Sequence, residues 1–290
     1  MLKNYFKLLR IPQWIKNFFV LVPLVFSKQL FNSSTLTIVL IGFILFCLIS
    51  SVVYIFNDII DAESDRQHPQ KKYRPLALGD IKISSAIVLA IVLLLIAAVL
   101  SIKVNLSFIL LMLSYLVLNL LYSFSFKHIV ILDIFSIAAG FILRVIAGAV
   151  IINVEISSWL ILTTMFISLF LAIMKRRSEL NIDIDYKDKI SRKVLTHYTK
   201  GFTEQIAGIA ATAVLVCYAL YTVSERTISI FGTDNLIFTL PFVAYGIFRY
   251  MYLVFIDRKG ENTAAIFFTD VHMSINFILY IITTIYIIYI

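Results

Sequence analysis

Three aspartates occur at helical spacing where a long apolar stretch of the sequence ends. The segment YIFNDIIDAESDRQHPQKKYRPLALG, residues 54–79, carries Asp58, Asp61 and Asp65. At 100° per residue these carboxylates fall within an arc of about 60°; Asn57 widens it to about 100°, and Glu63 points elsewhere. Crowded carboxylates suit a cation such as Mg²⁺, which proteins usually bind with one or two carboxylates plus phosphate oxygens. The pattern predicts a metal site of Asp58, Asp61 and Asp65; the alternative is a solvated helix end at a membrane surface.

A basic run follows the aspartates at once. Lys71, Lys72 and Arg74 precede Pro75 and Gly79, which are expected to bend the loop back. Lysine and arginine are the usual phosphate-binding side chains. Metal-binding acids beside such bases are the parts needed to bind a diphosphate. The same bases could instead anchor the loop to anionic lipids.

The composition is that of a membrane protein with several spans. Of 290 residues 61% are hydrophobic and 14% are charged, and the mean hydropathy is +0.95. Soluble domains carry about 25% charged residues. The net charge of +8 is attributed to Lys and Arg held on the cytoplasmic side rather than to a nucleic-acid partner. Cys47 and Cys217 both lie in apolar runs and form no disulfide or metal framework.

We predict nine transmembrane helices, each from about 20 apolar residues. The predicted spans are 13–31, 36–57, 83–102, 105–122, 132–152, 157–174, 204–224, 235–256 and 273–290. No connection is long enough to fold alone, so residues 1–290 are expected to form a single integral membrane domain.

Basic residues are concentrated in alternate connections. Only Lys28, Lys103 and Arg226 fall in the short, nearly uncharged connections. The positive-inside rule therefore predicts a multi-pass protein of the cytoplasmic (inner) membrane, with the N-terminus and the mouth of the site cytoplasmic and the C-terminus outside. The long connections after the second and sixth spans are predicted to be cytoplasmic caps.

The stretch NDIIDAESD resembles the N-D-x-x-D-x-x-x-D signature of the intramembrane prenyltransferase (UbiA) superfamily. The resemblance implies an all-α bundle of nine transmembrane helices around a central cavity. It further implies a Mg²⁺-bound diphosphate at the cytoplasmic mouth and a lipid chain in a hydrophobic tunnel.

The sequence departs from most of that superfamily after the sixth span, where a second aspartate-rich motif is usual. Here the chain reads MKRRSELNIDIDYKD, in which Lys175, Arg176 and Arg177 come first and Glu179 is the nearest acid. A second metal cluster of the usual type is therefore not expected. Asp183 and Asp185 could substitute for it, but a solvated loop is the simpler interpretation of these acids.

Other stretches resemble one branch, the decaprenyl-phosphate phosphoribosyltransferases: PQWIKN, HPQKKYRP, YSFSFKHIVILDIFSIAAGFILRVIAGA, KRRSEL and FRYMYLVFIDRKGEN. The implied reaction is a Mg²⁺-dependent transfer of phosphoribose from phosphoribosyl pyrophosphate to a polyprenyl (decaprenyl-like) phosphate, with release of diphosphate. The two substrates of this reaction together carry more phosphate groups than a prenyl diphosphate donor, so they need more fixed cations. The sequence Lys-Arg-Arg at the place of the second acidic motif fits that need.

Arg144 lies inside the fifth span, eleven residues after Asp133 and near the same helix face. It could line the site or form an internal ion pair, and the sequence favours neither. We predict Asp58, Asp61, Lys127 and Arg144 as catalytic residues. The predicted substrate-binding residues are Lys16, Asn17, Asn57, Lys71, Lys72, Arg74, Tyr122, Asp133, Lys175, Arg176, Glu179, Arg249 and Tyr250.

Two other functions share some of these features. A prenyltransferase joining a polyprenyl diphosphate to an aromatic or glycerol-phosphate acceptor would use the same first aspartate motif. A transporter or lipid-binding protein would also contain intramembrane charges. The weak second acid motif argues against the former, and the carboxylate stripe beside a basic loop argues against the latter. The sequence leaves the oligomeric state open.

Overall fold

The computed structural model describes residues 2–67, 71–185, 193–257, 266 and 269–290. Every regular element within these ranges is a helix. The predicted helix end at His68 and Pro69 lies outside the described residues, as do the side chains of Asp183 and Asp185.

The prediction of nine spans is confirmed in the described residues. Spans 1 to 9 are Lys3–Phe26, Ser33–Ile60, Ile83–Ser101, Leu106–Phe124, Leu132–Ile151, Ser158–Leu180, Lys200–Val223, Asn235–Phe255 and Val271–Tyr289. Shorter helices outside them are Ala62–Gln67, Lys71–Tyr73, Pro75–Leu78, Phe126–His128, Lys193–His197 and Glu225–Phe231.

Span 1 begins ten residues earlier than predicted and is not one continuous α-helix. It consists of an α-helix Leu2–Leu9, a 3₁₀ helix Ile11–Leu21 and an α-helix Val22–Phe26. The first break falls at Arg10, whose φ of 51° is left-handed, and each later segment has proline in its first turn. Because proline lacks an N–H and fixes φ, it suits a helix start and interrupts a longer helix.

The hydrogen bonds define two ends of the bundle. At one end Lys127, which precedes span 5, contacts Asp61, which directly follows span 2. At the other end the Leu30 N–H donates to the Tyr289 hydroxyl at 3.1 Å, and Lys28 donates to the Phe231 carbonyl at 3.0 Å. We call the first the polar end. The chain therefore starts at the polar end and finishes at the opposite one.

Spans 2 and 5 are the most buried of the nine. Span 5 packs against spans 1, 2, 4 and 6. Gly148 permits the closest approach, since a Cβ built there would lie 2.0 Å from the Val20 carbonyl oxygen of span 1. This agrees with the close packing expected of small residues in membrane helices. It brings the polar side chains of span 1 against those of span 5.

Candidate active site

The three aspartates lie on one side of the chain at the polar end, as their spacing predicts. The helix Ser33–Ile60 is followed by a turn at Asp61, but helical hydrogen bonds continue, from Asp61 N to Asn57 O at 2.9 Å and from Asp65 N to Asp61 O at 2.8 Å. Asp58 and Asp65 are buried, with 2% and 4% exposure, whereas Glu63 is exposed. Asp58 and Asp65 therefore face protein, whereas Asp61 between them is half-buried.

Each of these carboxylates binds a cation from another part of the chain. Arg74 donates from one nitrogen to Asp58 at 3.2 Å and to Asp65. Arg10 also binds Asp58, and Lys127 binds Asp61 at 2.7 Å. We call this set of three acids and three bases the charge cluster. Arg10, Asp58, Arg74 and Asp65 form a series of alternating sign, and the pair of Lys127 and Asp61 adds one further charge of each sign, so the formal charges of the cluster sum to zero.

Arg10 is a site residue that sequence reasoning missed. Its left-handed backbone turns the chain between two helices, and its guanidinium lies 5.0 Å from the centre of the Tyr54 ring. The available signal was an arginine two residues before Pro12 at the start of an apolar run. That signal shows a helix boundary, but it does not show that the side chain reaches Asp58, 48 residues away.

The loop of residues 71–79 holds Arg74 in place. Arg74 precedes the short helix Pro75–Leu78, which ends at Gly79 with a φ of 82°. Burial, together with the positive charge of Arg10, lowers the pKa of Arg74 below its ordinary value, although the two aspartates oppose this shift. In the same loop, the ammonium of the exposed Lys72 lies 5.2 Å from the Tyr73 ring centre, and Lys71 is half-buried.

The chemistry of these donors fits a Mg²⁺ ion. The side-chain oxygen of Asn57 is buried and accepts no hydrogen bond within the described residues. Asn57 directly precedes Asp58 in the same helix, so this turn of the helix carries a neutral oxygen without a partner in addition to the carboxylates. No three His, Cys, Asp or Glu side chains among the described residues are grouped to bind one ion. Because Mg²⁺ commonly takes only one or two carboxylates and completes its ligands with phosphate and water, Asp58 and Asp61 are a sufficient protein contribution.

Arg144 lies in a second polar cluster, on the span 1 side of span 5. Its guanidinium donates to Asn17 Oδ1 at 2.8 Å, to the Gly140 carbonyl at 2.8 Å and to the Tyr115 hydroxyl at 2.7 Å. Asn17 also donates to Cys47 Sγ and accepts from Ser50. Asp133 is not its partner, so the internal ion pair considered from the sequence is not formed within the described residues.

Asp133 and Arg176 instead form a third cluster, which differs from the sequence prediction. Arg176 Nε donates to Asp133 at 2.6 Å, and the same guanidinium binds Glu179 and donates to the Tyr122 hydroxyl at 3.2 Å. Asp133 and Arg176 both have 0% exposure. They are therefore placed to order the wall around the polar end and not to touch a substrate in this conformation.

Tyr198 belongs to the same cluster and was also missed. Its hydroxyl donates to Asp133 at 2.7 Å and accepts from the Ile131 N–H at 2.9 Å. Ile131 has a φ of 70°, a conformation that β-branched residues rarely adopt. A tyrosine in a short 3₁₀ connection carries no sequence signal for such a bond.

The remaining predicted residues are spread around the polar end. Arg177 binds Glu204 at 2.8 Å, and the neighbouring Lys175 is half-buried. Arg249 binds Asp270 at 2.7 Å. Tyr250 is buried in the apolar core with its ring 5.8 Å from that of Phe170. The described contacts of Arg249 and Tyr250 do not join them to the charge cluster.

The chain is similar to a known protein family and to named relatives. Residues 18–278 match the model of the UbiA prenyltransferase family. The chain is 37% identical to the decaprenyl-phosphate phosphoribosyltransferase of Corynebacterium glutamicum over 74% of its own length, and spans 66% of that relative. It is 32% identical to the Mycobacterium tuberculosis protein of the same name, covering 83% of this chain and 82% of the relative.

The fold has solved counterparts. A UbiA homologue from Archaeoglobus fulgidus, solved bound to GPP and Mg²⁺, superposes with a TM-score of 0.72 over 99% of this chain and 100% of its own, at 18% identity. That similarity shows the fold alone. One assignment follows from the nine spans found in the described residues, the family-model match over most of the chain and the similarity to these relatives: the chain belongs to the UbiA prenyltransferase family of membrane transferases.

Proposed function

We propose that this protein transfers the phosphoribosyl group of phosphoribosyl pyrophosphate to a polyprenyl phosphate. An oxygen of the lipid phosphate attacks C1 of the ribose, the bond from C1 to the diphosphate breaks, and the diphosphate leaves with the electron pair. The attacking phosphate is already ionised, so no general base is needed. The products are polyprenyl-phosphoryl-5-phosphoribose and diphosphate.

The observation that carries the proposal is the charge cluster. Three carboxylates of one chain segment are paired with Arg10, Arg74 and Lys127 from three other segments. A diphosphate with its divalent cation presents both signs of charge. Such a ligand can exchange partners with the cluster: the carboxylates take the cation and the bases take phosphate oxygens.

Asp58 and Asp61, with Asp65 beside them, would bind Mg²⁺, which when bound would offset the negative charge of the leaving diphosphate. Lys127 and Arg74 would bind its oxygens, where fixed cations stabilise charge that develops in the transition state. Asn57 Oδ1 can accept a hydrogen bond from a ribose hydroxyl or a water. Positioning and charge stabilisation therefore account for the catalysis.

Two observations favour a phosphoribosyl donor over a prenyl diphosphate. Both relatives compared above are named decaprenyl-phosphate phosphoribosyltransferases. In addition, Arg176 and Arg177 at the end of span 6 are already bound to Asp133 and Glu204, at the place where a second cation site would need unpaired acids. Prenyl transfer to an aromatic or glycerol-phosphate acceptor is the alternative.

The test uses membranes containing the full-length protein and supplies labelled phosphoribosyl pyrophosphate or labelled geranylgeranyl diphosphate. We expect label to enter a lipid only from phosphoribosyl pyrophosphate and only when polyprenyl phosphate is added. Chelation with EDTA should stop the transfer and excess Mg²⁺ should restore it. The mass of the product identifies the linkage. Label entering lipid from the prenyl donor alone would overturn the proposal, as would movement of substrate across vesicles without covalent change.

The distribution of basic residues supports a cytoplasmic polar end. With the termini at opposite ends of the bundle, the N-terminus is then cytoplasmic and the C-terminus lies outside the cytoplasmic membrane. Reporter fusions after Ile290, compared with fusions in the 71–74 loop, test this orientation. Activity of an outside-only reporter at the loop would contradict it.

A further inference from the structure

Lys16 and Arg144 are two cations that contact no carboxylate in the part of the chain that is described. Both lie within membrane spans. The guanidinium of Arg144 is 4% exposed, and all three of its hydrogen-bond acceptors are neutral: an amide oxygen, a backbone carbonyl and a phenol. Its charge is therefore solvated by dipoles and not cancelled by an acid.

Lys16 is half-buried on the 3₁₀ helix of span 1. Its ammonium makes no hydrogen bond or ion pair to any described side chain. Its electrostatic neighbours are two more cations, Arg10 and Arg144, and the phenols of Tyr115 and Tyr122. Lys16 therefore has like charges near it and no described carboxylate in contact with it.

The position of Lys16 is on the membrane side of the charge cluster. The two tyrosines that neighbour Lys16, Tyr115 and Tyr122, are seven residues apart on span 4. This spacing corresponds to about 10 Å along the helix. Asn17, next to Lys16, accepts from Ser50, and Ser50 precedes Asp58 by eight residues, or about 12 Å of helix. Lys16 therefore lies about 12 Å farther from the polar end than Asp58, measured along span 2.

An uncompensated charge inside a membrane span is costly, and such residues usually face a polar ligand or pathway. The donor diphosphate already has Arg10, Arg74 and Lys127 at the polar end. Lys16 would therefore bind a different anion, one that carries an apolar tail and enters along the spans. The phosphate of the lipid acceptor meets that description.

We propose that Lys16, with the charge of Arg144 behind it, forms the subsite for the phosphate of the polyprenyl acceptor and so selects a phosphorylated lipid over the free alcohol. The inference rests on the proposed function, which it deepens by separating the two phosphate sites. Arg144 is a positioning residue in this scheme, because Asn17, Tyr115 and Gly140 hold its guanidinium in place. Lys16 is the group that touches the phosphate.

The experiment measures binding without any donor present. Full-length protein in nanodiscs is titrated with tritiated geranylgeranyl phosphate and, separately, with tritiated geranylgeraniol. We compare wild type, Lys16→Met, Lys16→Arg and Lys103→Met, which removes an exposed lysine at the opposite end. The methionine at 16 keeps the length and apolar stem, so folding is preserved while the charge is lost.

We expect Lys16→Met to weaken binding of the phosphate by about tenfold or more, the loss of a charge-assisted hydrogen bond, and to leave binding of the alcohol unchanged. Lys16→Arg should retain most of the phosphate affinity, and Lys103→Met should match wild type. Wild-type affinity of Lys16→Met for the phosphate would overturn the inference and identify Lys16 as a lysine that merely extends to the membrane surface.

A second readout separates this inference from the proposed function. In transfer assays Lys16→Met should raise KM for polyprenyl phosphate and leave KM for phosphoribosyl pyrophosphate within about twofold, since the subsites are separate. A rise in KM for the donor alone would place Lys16 in the donor site and overturn the inference. If wild type binds the prenyl phosphate through Lys16 but transfers no phosphoribose, the proposed function fails and the phosphate subsite stands.

Discussion

Arg176 and Asp133 form an ion pair with no exposed surface, 43 residues apart in the chain and 2.6 Å apart between Nε and Oδ2. The same guanidinium reaches Glu179 and the Tyr122 hydroxyl. Spans 4, 5 and 6 therefore meet at a single side chain beside the polar end. We expect the Arg176 side chain to contribute to the free energy of unfolding and to the positions of these three spans at the polar end.

Replacing Arg176 with Met should destabilise the protein by about 3–5 kcal/mol, because Asp133 would be left as a buried charge without a cationic partner, bound only by the Tyr198 hydroxyl. Thermal unfolding in detergent measures the change. The matched control is Arg226→Met, which breaks the exposed pair with Glu155 and should cost about 1 kcal/mol or less. The double variant Asp133→Asn with Arg176→Met should be more stable than Arg176→Met alone. Equal melting of the Arg176 and Arg226 variants would contradict the assignment.

Gly148→Ala should separate spans 1 and 5. The added Cβ would lie 2.0 Å from the Val20 carbonyl oxygen, a backbone atom that cannot rotate away. We expect a loss of about 1–3 kcal/mol in stability from overpacking, and reduced transfer because Arg10 and Lys16 move with span 1.

Gly208→Ala is the control for that change, since nothing lies within 4 Å of a Cβ built at Gly208 in span 7. Alanine is the better helix former, so this variant should be neutral or more stable by about 0.5–1 kcal/mol. Two melting curves in the same detergent decide the point. Similar behaviour of both variants would show that the contact at Gly148 relaxes without cost.

Hydropathy and periodicity predict much of this fold because both signals are local. Runs of about 20 apolar residues were sufficient to find nine spans. Helical spacing alone placed Asp58, Asp61 and Asp65 on one side, with Glu63 exposed. The start of span 1 was misplaced because Lys3 and Lys7 dilute the hydropathy of an amphipathic helix that precedes a break at Arg10.

The pairing of the charges could not be predicted in the same way. Arg10 and Asp58 are 48 residues apart, and Lys127 and Asp61 are 66 apart. The packing of the spans decides which acid pairs with which base, and this packing cannot be predicted from the composition. Arg176 illustrates this: its place beside Lys175 and Arg177 led to its prediction as a substrate-binding residue, but nothing in the sequence indicates that it is buried against an acid from another span.

Asp58→Asn should reduce transfer by about 100-fold or more, the size of effect seen when one electrostatic stabiliser is removed. The amide keeps the volume but can neither neutralise Arg10 nor bind Mg²⁺ strongly. Glu63→Gln, five residues along and exposed, should retain wild-type turnover. Single-turnover rates at saturating Mg²⁺ compare the two in folded, purified protein. Wild-type turnover in Asp58→Asn would exclude this carboxylate from the metal site.

The ion pair between Arg249 and Asp270 should make the free energy of unfolding depend on pH in the acidic range. The hydrogen bond from Arg249 lowers the pKa of Asp270, aided by the Met273 N–H at 2.9 Å and opposed by partial burial. A carboxyl whose pKa is lower in the folded state contributes fully above its unfolded value of about 3.9 and loses that contribution as pH falls through the folded value. The difference in melting temperature between wild type and Asp270→Asn should therefore be constant from neutral pH to about pH 5 and shrink below about pH 4. Melting curves of both proteins across that range measure the difference. A difference that stays constant down to pH 3 would contradict this prediction, and no difference at any pH would show that Asp270 acts only through its helix-capping bond, which asparagine preserves.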